Sequence, residues 1–230
     1  MITLYYAPDN ASLIVRILLQ EIGLPYQTVL VDRGAIEQQS EKFLSLNPNG
    51  LIPVCIIDHK PVYETGAIVL SLADTHNRFS IAPDSSSRPE FLQWLFYLSN
   101  SLHADCRMRF YPEKYAGSNA NQNFSDITFS RVNERLEILN AAYRVASGNY
   151  LFGAEPTIVD LYLAVCLRWL QLYPAKEKDR LETAGFPELL KMMRELENRE
   201  QVISACAAEG ITGAFFTEPE YADPPEGVAL

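Results

Sequence analysis

Two short stretches of this chain set polar groups where a helix begins. The first is Ala7-Pro8-Asp9-Asn10-Ala11-Ser12. It separates a β-branched and aromatic run, Ile2 to Tyr6, from a segment in which Ile14, Ile17, Leu18 and Ile22 recur at helical spacing. The second is Tyr63-Glu64-Thr65-Gly66, where a strand ends and another apolar helix starts. The first turn of a helix carries main-chain amides without partners, and its dipole favours negative charge. Thr65, with its hydroxyl and the free amides behind Glu64, is therefore suited to hold an anion such as a carboxylate. Between the two stretches, Asn47-Pro48-Asn49-Gly50 is a dense turn signal, and Leu51 to Ile57 is an apolar run of strand length. Pro53 interrupts that run, where a central strand has no place for proline. It is read as opening the strand after a cis peptide bond, with the Ile52 amide and carbonyl turned outward as a backbone ladder for a peptide-like ligand.

Bulk properties exclude several other chemistries. The net charge is −10, with no basic stripe, which argues against nucleic acid and against an anionic membrane surface as partners. The four cysteines, Cys55, Cys106, Cys166 and Cys206, form no CxxC pair and sit in apolar patterns, so they are expected as buried free thiols. The three histidines show no metal-ligand spacing, and no metal is expected. The longest apolar stretch, Ile158 to Leu172, carries Asp160 and Arg168 and is short for a bilayer. The N-terminus enters a strand directly, without a signal-like region. A reducing cytoplasm is the expected location.

The elements that must position these residues follow in order. Strand Ile2–Tyr6, helix Ser12–Ile22 stopped at Gly23, and strand Tyr26–Val31 come first. A polar-faced helix over 36–46, strands over 51–57 and 61–63, and a helix from Ala67 to His76 complete a βαβ–α–ββ–α order. That order is thioredoxin-like and ends near Arg78. Residues 79–88, with Pro83 and Ser85-Ser86-Ser87, read as a linker. Strand signals then stop. Phe91, Leu95, Leu98, Leu102 and Cys106 mark one long helix to about Tyr111. Tyr115 to Ser125 reads as a loop, and Val132 to Ala146 as a helix. Thr157-Ile158-Val159-Asp160 is a capping box opening a helix that is apolar nearly all round and so is expected to be buried. Phe186-Pro187 opens another helix, and Val202 to Glu209 a last one. The expected architecture has two domains. A thioredoxin-like α/β domain covers 1–78, and an all-α helical domain covers 89–216. The Pro-rich acidic tail, 217–230, is expected to be an extended or mobile arm.

Asn47-Pro48-Asn49-Gly50-Leu51-Ile52-Pro53 and Glu64-Thr65-Gly66-Ala67-Ile68 together resemble the glutathione-binding half of the glutathione transferase family. Its turn before the cis-proline and its "E-S/T-x-A-I" segment match at this spacing. Two further stretches, "YLFGAEPTIVDLYLA" and "FPELLKMMRELENREQVISACAAEG", resemble the family's helical domain, so the likeness spans about residues 2 to 210. The resemblance implies that Ile52, Pro53, Glu64 and Thr65 bind glutathione. It also implies a homodimer, a small apolar electrophile as second substrate, and a detoxifying transferase activity.

The family's chemistry is the making of a thiolate. A free thiol, with a pKa near 8.5, is only about a few per cent ionised at neutral pH. A donor aimed at sulfur, at the start of the first helix, favours the anion. Tyr5 to Leu13 resembles the bacterial beta-class pattern "YYSPGACSL", but Ala11 stands where that class has its cysteine. Mixed-disulfide chemistry at that position is therefore lost. Ser12 is a candidate thiolate donor or a plain helix cap. Asn10 is a candidate donor through its amide or a plain turn-former. Tyr5 and Tyr6 alternate in direction on a strand; a place in the core is expected for both, with one of them reaching the site as the alternative. Leu51 departs from the polar or basic residue that family members often place toward the glycyl carboxylate. His103 matches a beta-class cleft histidine, with packing as the alternative, and Arg109 is a cation suited to glutathione or an anionic substrate. Two other functions fit the same residues: a glutathione-dependent disulfide reductase, and a non-enzymatic ligand carrier that kept the fold.

Overall fold

The computed structural model describes residues 1–174 and 180–229. It divides into two compact units. One comprises Met1–Pro83, Glu197–Phe215 and Glu220–Leu230, and the other Asp84–Leu196 with Phe216–Pro219.

The first unit is built on a four-stranded mixed sheet. Its strands are β1 (Ile2–Tyr6), β2 (Tyr26–Leu30), β3 (Val54–Ile57) and β4 (Lys60–Tyr63), in the order β2-β1-β3-β4. β1 and β2 run parallel, which requires a crossover, and α1 (Ser12–Ile22) supplies it. β3 returns antiparallel beside β1, and β4 pairs with β3 through a tight turn at Asp58 and His59, both left-handed. Pro61 is tolerated because β4 is an edge strand. Alternation along β1 sends Tyr5 to one face, edge-on to Phe43 in a cluster with Val31 and Val54. Leu4 and Tyr6 are buried. The apolar face of α1 is buried almost throughout, and Gly23, at φ 79°, ends it.

Some elements differ from their sequence patterns. The helix expected over 36–46 is cut to a single 3₁₀ turn, Glu37–Gln39, and a short α2 (Glu41–Leu44). Ile36 is left-handed, and the Ser40 hydroxyl caps α2 through the Phe43 amide, 3.2 Å away. Gly50 is also left-handed, and a Cβ there would collide with the Gln39 side chain. α3 runs Thr65–His76.

Two C-terminal segments, Glu197–Phe215 and Glu220–Leu230, belong to this first unit. α10 (Glu200–Ala207) packs on α1. Arg199 forks onto the Glu21 carboxylate at 2.5 and 2.9 Å. The tail, expected as an extended or mobile arm, has no helix or strand among its described residues and is tied to this unit by hydrogen bonds. The Asp223 amide donates to the Gly210 carbonyl at 2.9 Å, and Arg33 Nη1 donates to the Ala229 carbonyl at 2.7 Å. The Tyr6 hydroxyl donates to the Glu226 carboxylate. A Cβ at Gly210 would strike the Asp223 carbonyl and Pro224, so only glycine permits the tail to pass there. Leu230, the last residue of the expected tail, lies outside the described residues.

The second unit is helical. α4 (Arg88–Tyr97) continues through one π-turn, Leu98–Leu102, into α5 (His103–Phe110), giving the single long helix that the apolar spacing predicts. The stretch expected as a loop is instead α6 (Pro112–Ala116) and a 3₁₀ turn, and α7 (Gln122–Arg144) begins within it, capped by Asn121. α8 (Ile158–Leu172) is buried on nearly every side, and α9 spans Pro187–Glu197. The capping box forms. Asp160 accepts from the Thr157 amide at 2.7 Å, the Thr157 hydroxyl at 2.9 Å, the Tyr143 hydroxyl at 2.7 Å and the Leu151 amide at 3.0 Å.

Candidate functional site

The register aligns, at one end of the sheet, the strand ends from which three of the predicted segments depart. Tyr5 of β1 faces Val54 of β3, which faces Tyr63 of β4. One step past this row, β1 runs into the loop with Asn10, β3 is entered from Ile52-Pro53, and β4 leads to Glu64-Thr65. Adjacent strands lie about 4.8 Å apart, so the row Tyr5–Val54–Tyr63, from which the three segments depart, is about 10 Å wide.

At the β1 end, the loop is tightly organised. The Ser12 hydroxyl is fully buried, donates to the Ala7 carbonyl at 3.0 Å and accepts from the Ala7 amide at 3.3 Å. Ser12 therefore bonds back into the loop. It is not a helix cap, a position that Ala11 occupies without a side-chain bond. In this arrangement its proton lies on the Ala7 carbonyl. Asn10 is half-buried, and its Oδ1 accepts from the Ala11 amide at 2.8 Å. That bond fixes the side chain, and Nδ2 has no partner among the described residues. Asp9, just before it, is left-handed at φ 46°.

At the middle segment, the Ile52–Pro53 peptide bond is cis. Ile52 packs by its side chain against the Val31–Phe43–Val54 cluster, and its main chain lies outside the ladder pairs that begin at Val54. The preceding turn is stapled by buried Asn47, whose Nδ2 donates to the Leu51 carbonyl at 2.7 Å and whose Oδ1 accepts from the Asn49 amide at 3.0 Å. Leu51 is 41% exposed and offers no polar group.

At the third segment, Thr65 opens α3, a helix long enough for its dipole to matter. The residue is only 7% exposed, and its hydroxyl has no partner among the described residues. Glu64 before it is exposed and held at φ 70°, ψ 115°, a rare conformation for a residue with a Cβ.

The remaining candidates sit in the helical unit, and each has work there. His103 Nδ1 is 2.8 Å from the Tyr162 hydroxyl, and the ring packs between Tyr162 and Trp169. Burial, with Arg107 nearby, pushes its pKa down to about 4, so the ring is neutral at physiological pH. These contacts are those of the packing alternative. Arg109 is largely buried, donates from Nη1 to the Ser125 carbonyl at 3.2 Å and lies 4.8 Å over the Phe129 ring. It borders a hollow with Met108, Phe124 and Thr128.

Two residues near the β1 edge carry no mark in the sequence. Glu209, fully buried just past α10, accepts from the Asp9 amide at 2.8 Å and from Arg16 Nε at 2.7 Å. Burial pushes its pKa up to about 7 against the pull of Arg16. Tyr6, under the Arg16 guanidinium at 4.4 Å, is pushed up to about 12 by burial and by its bond to Glu226. No local signal reveals either pairing, because the partners lie some 200 residues away in sequence.

Comparison with known proteins gives this arrangement a family. The model of the glutathione S-transferase N-terminal domain matches residues 1–74, and that of the C-terminal domain matches 104–205, together well over half of the chain. Glutathione S-transferase GstA of Escherichia coli O157:H7 is 29% identical over 213 residues, covering 90% of this chain and 98% of that protein. Disulfide-bond oxidoreductase YfcG of Escherichia coli K12 is 36% identical over 110 residues, covering 44% of this chain and 50% of that one. A glutathione transferase family member from Pseudomonas fluorescens, solved with two glutathione molecules bound, superposes with a TM-score of 0.78 at 27% identity, covering 89% of this chain and 91% of that one. With the sheet order, the helical unit and both domain models in agreement, the chain belongs to the glutathione S-transferase family.

Proposed function

We propose that this protein is a glutathione transferase that joins the glutathione thiolate to a small apolar electrophile. The observation that supports the reading is the row Tyr5–Val54–Tyr63, because the segments carrying Asn10, Ile52 and Thr65 leave the sheet from the ends of these three strands. Thr65 and the first amides of α3 take the γ-glutamyl carboxylate, with Glu64 toward the neighbouring ammonium. The Ile52 main chain pairs with the peptide in strand fashion. The sulfur then lies toward the β1–α1 loop. There Asn10 Nδ2 is the donor, since the Ser12 hydroxyl is committed to Ala7.

A pKa unit corresponds to about 1.4 kcal/mol. One charge-assisted hydrogen bond with the end of a helix dipole lowers the bound thiol by about one unit. A homodimer in the cytoplasm is the setting that the family implies.

Glutathione-dependent disulfide reduction is the second reading, favoured by the stretch shared with YfcG. The chain's cysteines are all buried, and burial pushes the Cys55 thiol up to about 12. A reductase here would work with glutathione sulfur alone.

Calorimetry with reduced and oxidised glutathione, then turnover assays with a dinitrochlorobenzene and with a small glutathione mixed disulfide, tests both. Conjugation with tighter binding of reduced glutathione supports the transferase. Disulfide reduction without conjugation selects the second reading. Binding with neither activity makes the protein a carrier.

A further inference from the structure

The loop that carries Asn10 is held at two points, and one holder comes from the far end of the chain. The inner point is the Ser12 bracket on Ala7. The outer point is Glu209. Its Oε2 accepts from the Asp9 main-chain amide at 2.8 Å while its Oε1 accepts from Arg16 Nε at 2.7 Å. Arg16 is itself nearly inaccessible and stacked on Tyr6. Asp9 takes a left-handed conformation that a residue with a Cβ keeps only where its surroundings enforce it.

Burying a carboxylate and a guanidinium is expensive, and apolar residues of similar volume fill such a space at less cost. The pair is therefore poorly explained by stability alone. What it does is fix one particular amide, that of the residue before Asn10. Gly227 of the tail closes over the same loop, against Pro8 and Leu30.

We infer that Glu209 is a positioning residue for the thiol chemistry: by clamping the Asp9 amide to Arg16, it sets the direction of Asn10 Nδ2 toward the glutathione sulfur. This rests on the reading of Asn10 as the donor. Glu209 itself touches no substrate, and its effect is carried wholly by the loop.

The test is Glu209→Gln beside Asn10→Ala. Gln keeps the volume but presents an amide N–H₂ to one of the two donors, so one contact is lost. Two quantities are read: the ultraviolet titration of glutathione bound to each protein, and kcat and KM for conjugation. In Glu209→Gln the bound thiol pKa rises toward that of free glutathione. At pH values below that pKa, kcat falls about tenfold each time the pKa rises by one. KM for glutathione stays within about threefold, because the contacts at Ile52, Glu64 and Thr65 are untouched. A protein of lowered melting temperature with wild-type thiol pKa and kcat would overturn the inference while leaving Asn10 in place, provided that Asn10→Ala does raise the thiol pKa. If Asn10→Ala leaves the thiol unchanged, the donor reading fails and takes this inference with it. Should Glu209→Gln fail to fold, Glu209→Asp keeps the charge but is one methylene too short to hold both donors, and the same rise in thiol pKa is expected.

Discussion

Ser12 and Asn10 are both donor candidates in the sequence, Ser12 with a cap and Asn10 with a turn-former as the alternative, and their donor groups differ in what they meet in the fold. The Ser12 hydroxyl is buried against both polar groups of Ala7. Removing it leaves a buried amide and carbonyl unsatisfied, at about 1–3 kcal/mol. Ser12→Ala should therefore lower the denaturant midpoint and leave the pKa of bound glutathione where it was. A thiol pKa that rises in Ser12→Ala at unchanged stability would restore Ser12 as the donor. Thr65 behaves oppositely. Its hydroxyl has no partner among the described residues, so Thr65→Ala costs the fold little. It should weaken glutathione binding by about 1–3 kcal/mol, as expected for a lost charge-assisted bond. Unchanged affinity by calorimetry would remove Thr65 from the site.

Among the elements, the end of α10 and the start of α8 carry the clearest consequences. Glu209 faces Arg16, the Asp9 amide and carboxylate, and lies near Tyr6 with its partner Glu226. Its folded pKa, about 7, is above the ordinary glutamate value, so the folded state holds this proton more tightly than the unfolded state. The contribution is fully present below pH about 4.5 and is lost as pH rises through about 7. The melting temperature should thus fall between pH 5 and 8 by a component that Glu209→Gln removes. A pH profile of the same slope in both proteins would contradict this. At α8, Asp160 satisfies the Tyr143 hydroxyl, the Leu151 amide and two groups of Thr157. Asp160→Ala strands all of them in the interior and should cost about 3 kcal/mol or more, read by denaturant unfolding.

These two helices also show what the sequence makes legible. The capping box of α8 is written within four residues and needs nothing from elsewhere, and the same holds for the Thr65 start of α3 and for the apolar stripe of α1. The Glu209 clamp joins residues 200 apart through polar atoms, and polar pairing leaves no periodicity to read. The helix expected over 36–46 fails for a related reason. Its spacing is helical, but the left-handed Ile36 and the Ser40 cap break it into turns.

For the whole molecule, the tail is the clearest difference between composition and structure. Three prolines and four acidic residues between Thr217 and Leu230 read as an arm without a core of its own. Yet Asp223, Glu226 and Ala229 each find a partner in the first unit. Deleting residues 220–230 should therefore lower the denaturant midpoint by about 1–3 kcal/mol. It should also speed proteolysis near Pro8, since Gly227 lies against that residue. A truncated protein as stable and as resistant as the full chain would mean that the tail contributes nothing.

The central claim is that one edge of the sheet binds glutathione and ionises its thiol through Asn10. The ultraviolet titration of glutathione bound to the wild-type protein and to Asn10→Ala tests it most directly. The account predicts a bound thiol about one pKa unit below free glutathione in the wild type, returning toward the free value in Asn10→Ala with binding largely retained. A wild-type complex whose thiol titrates like free glutathione would contradict it.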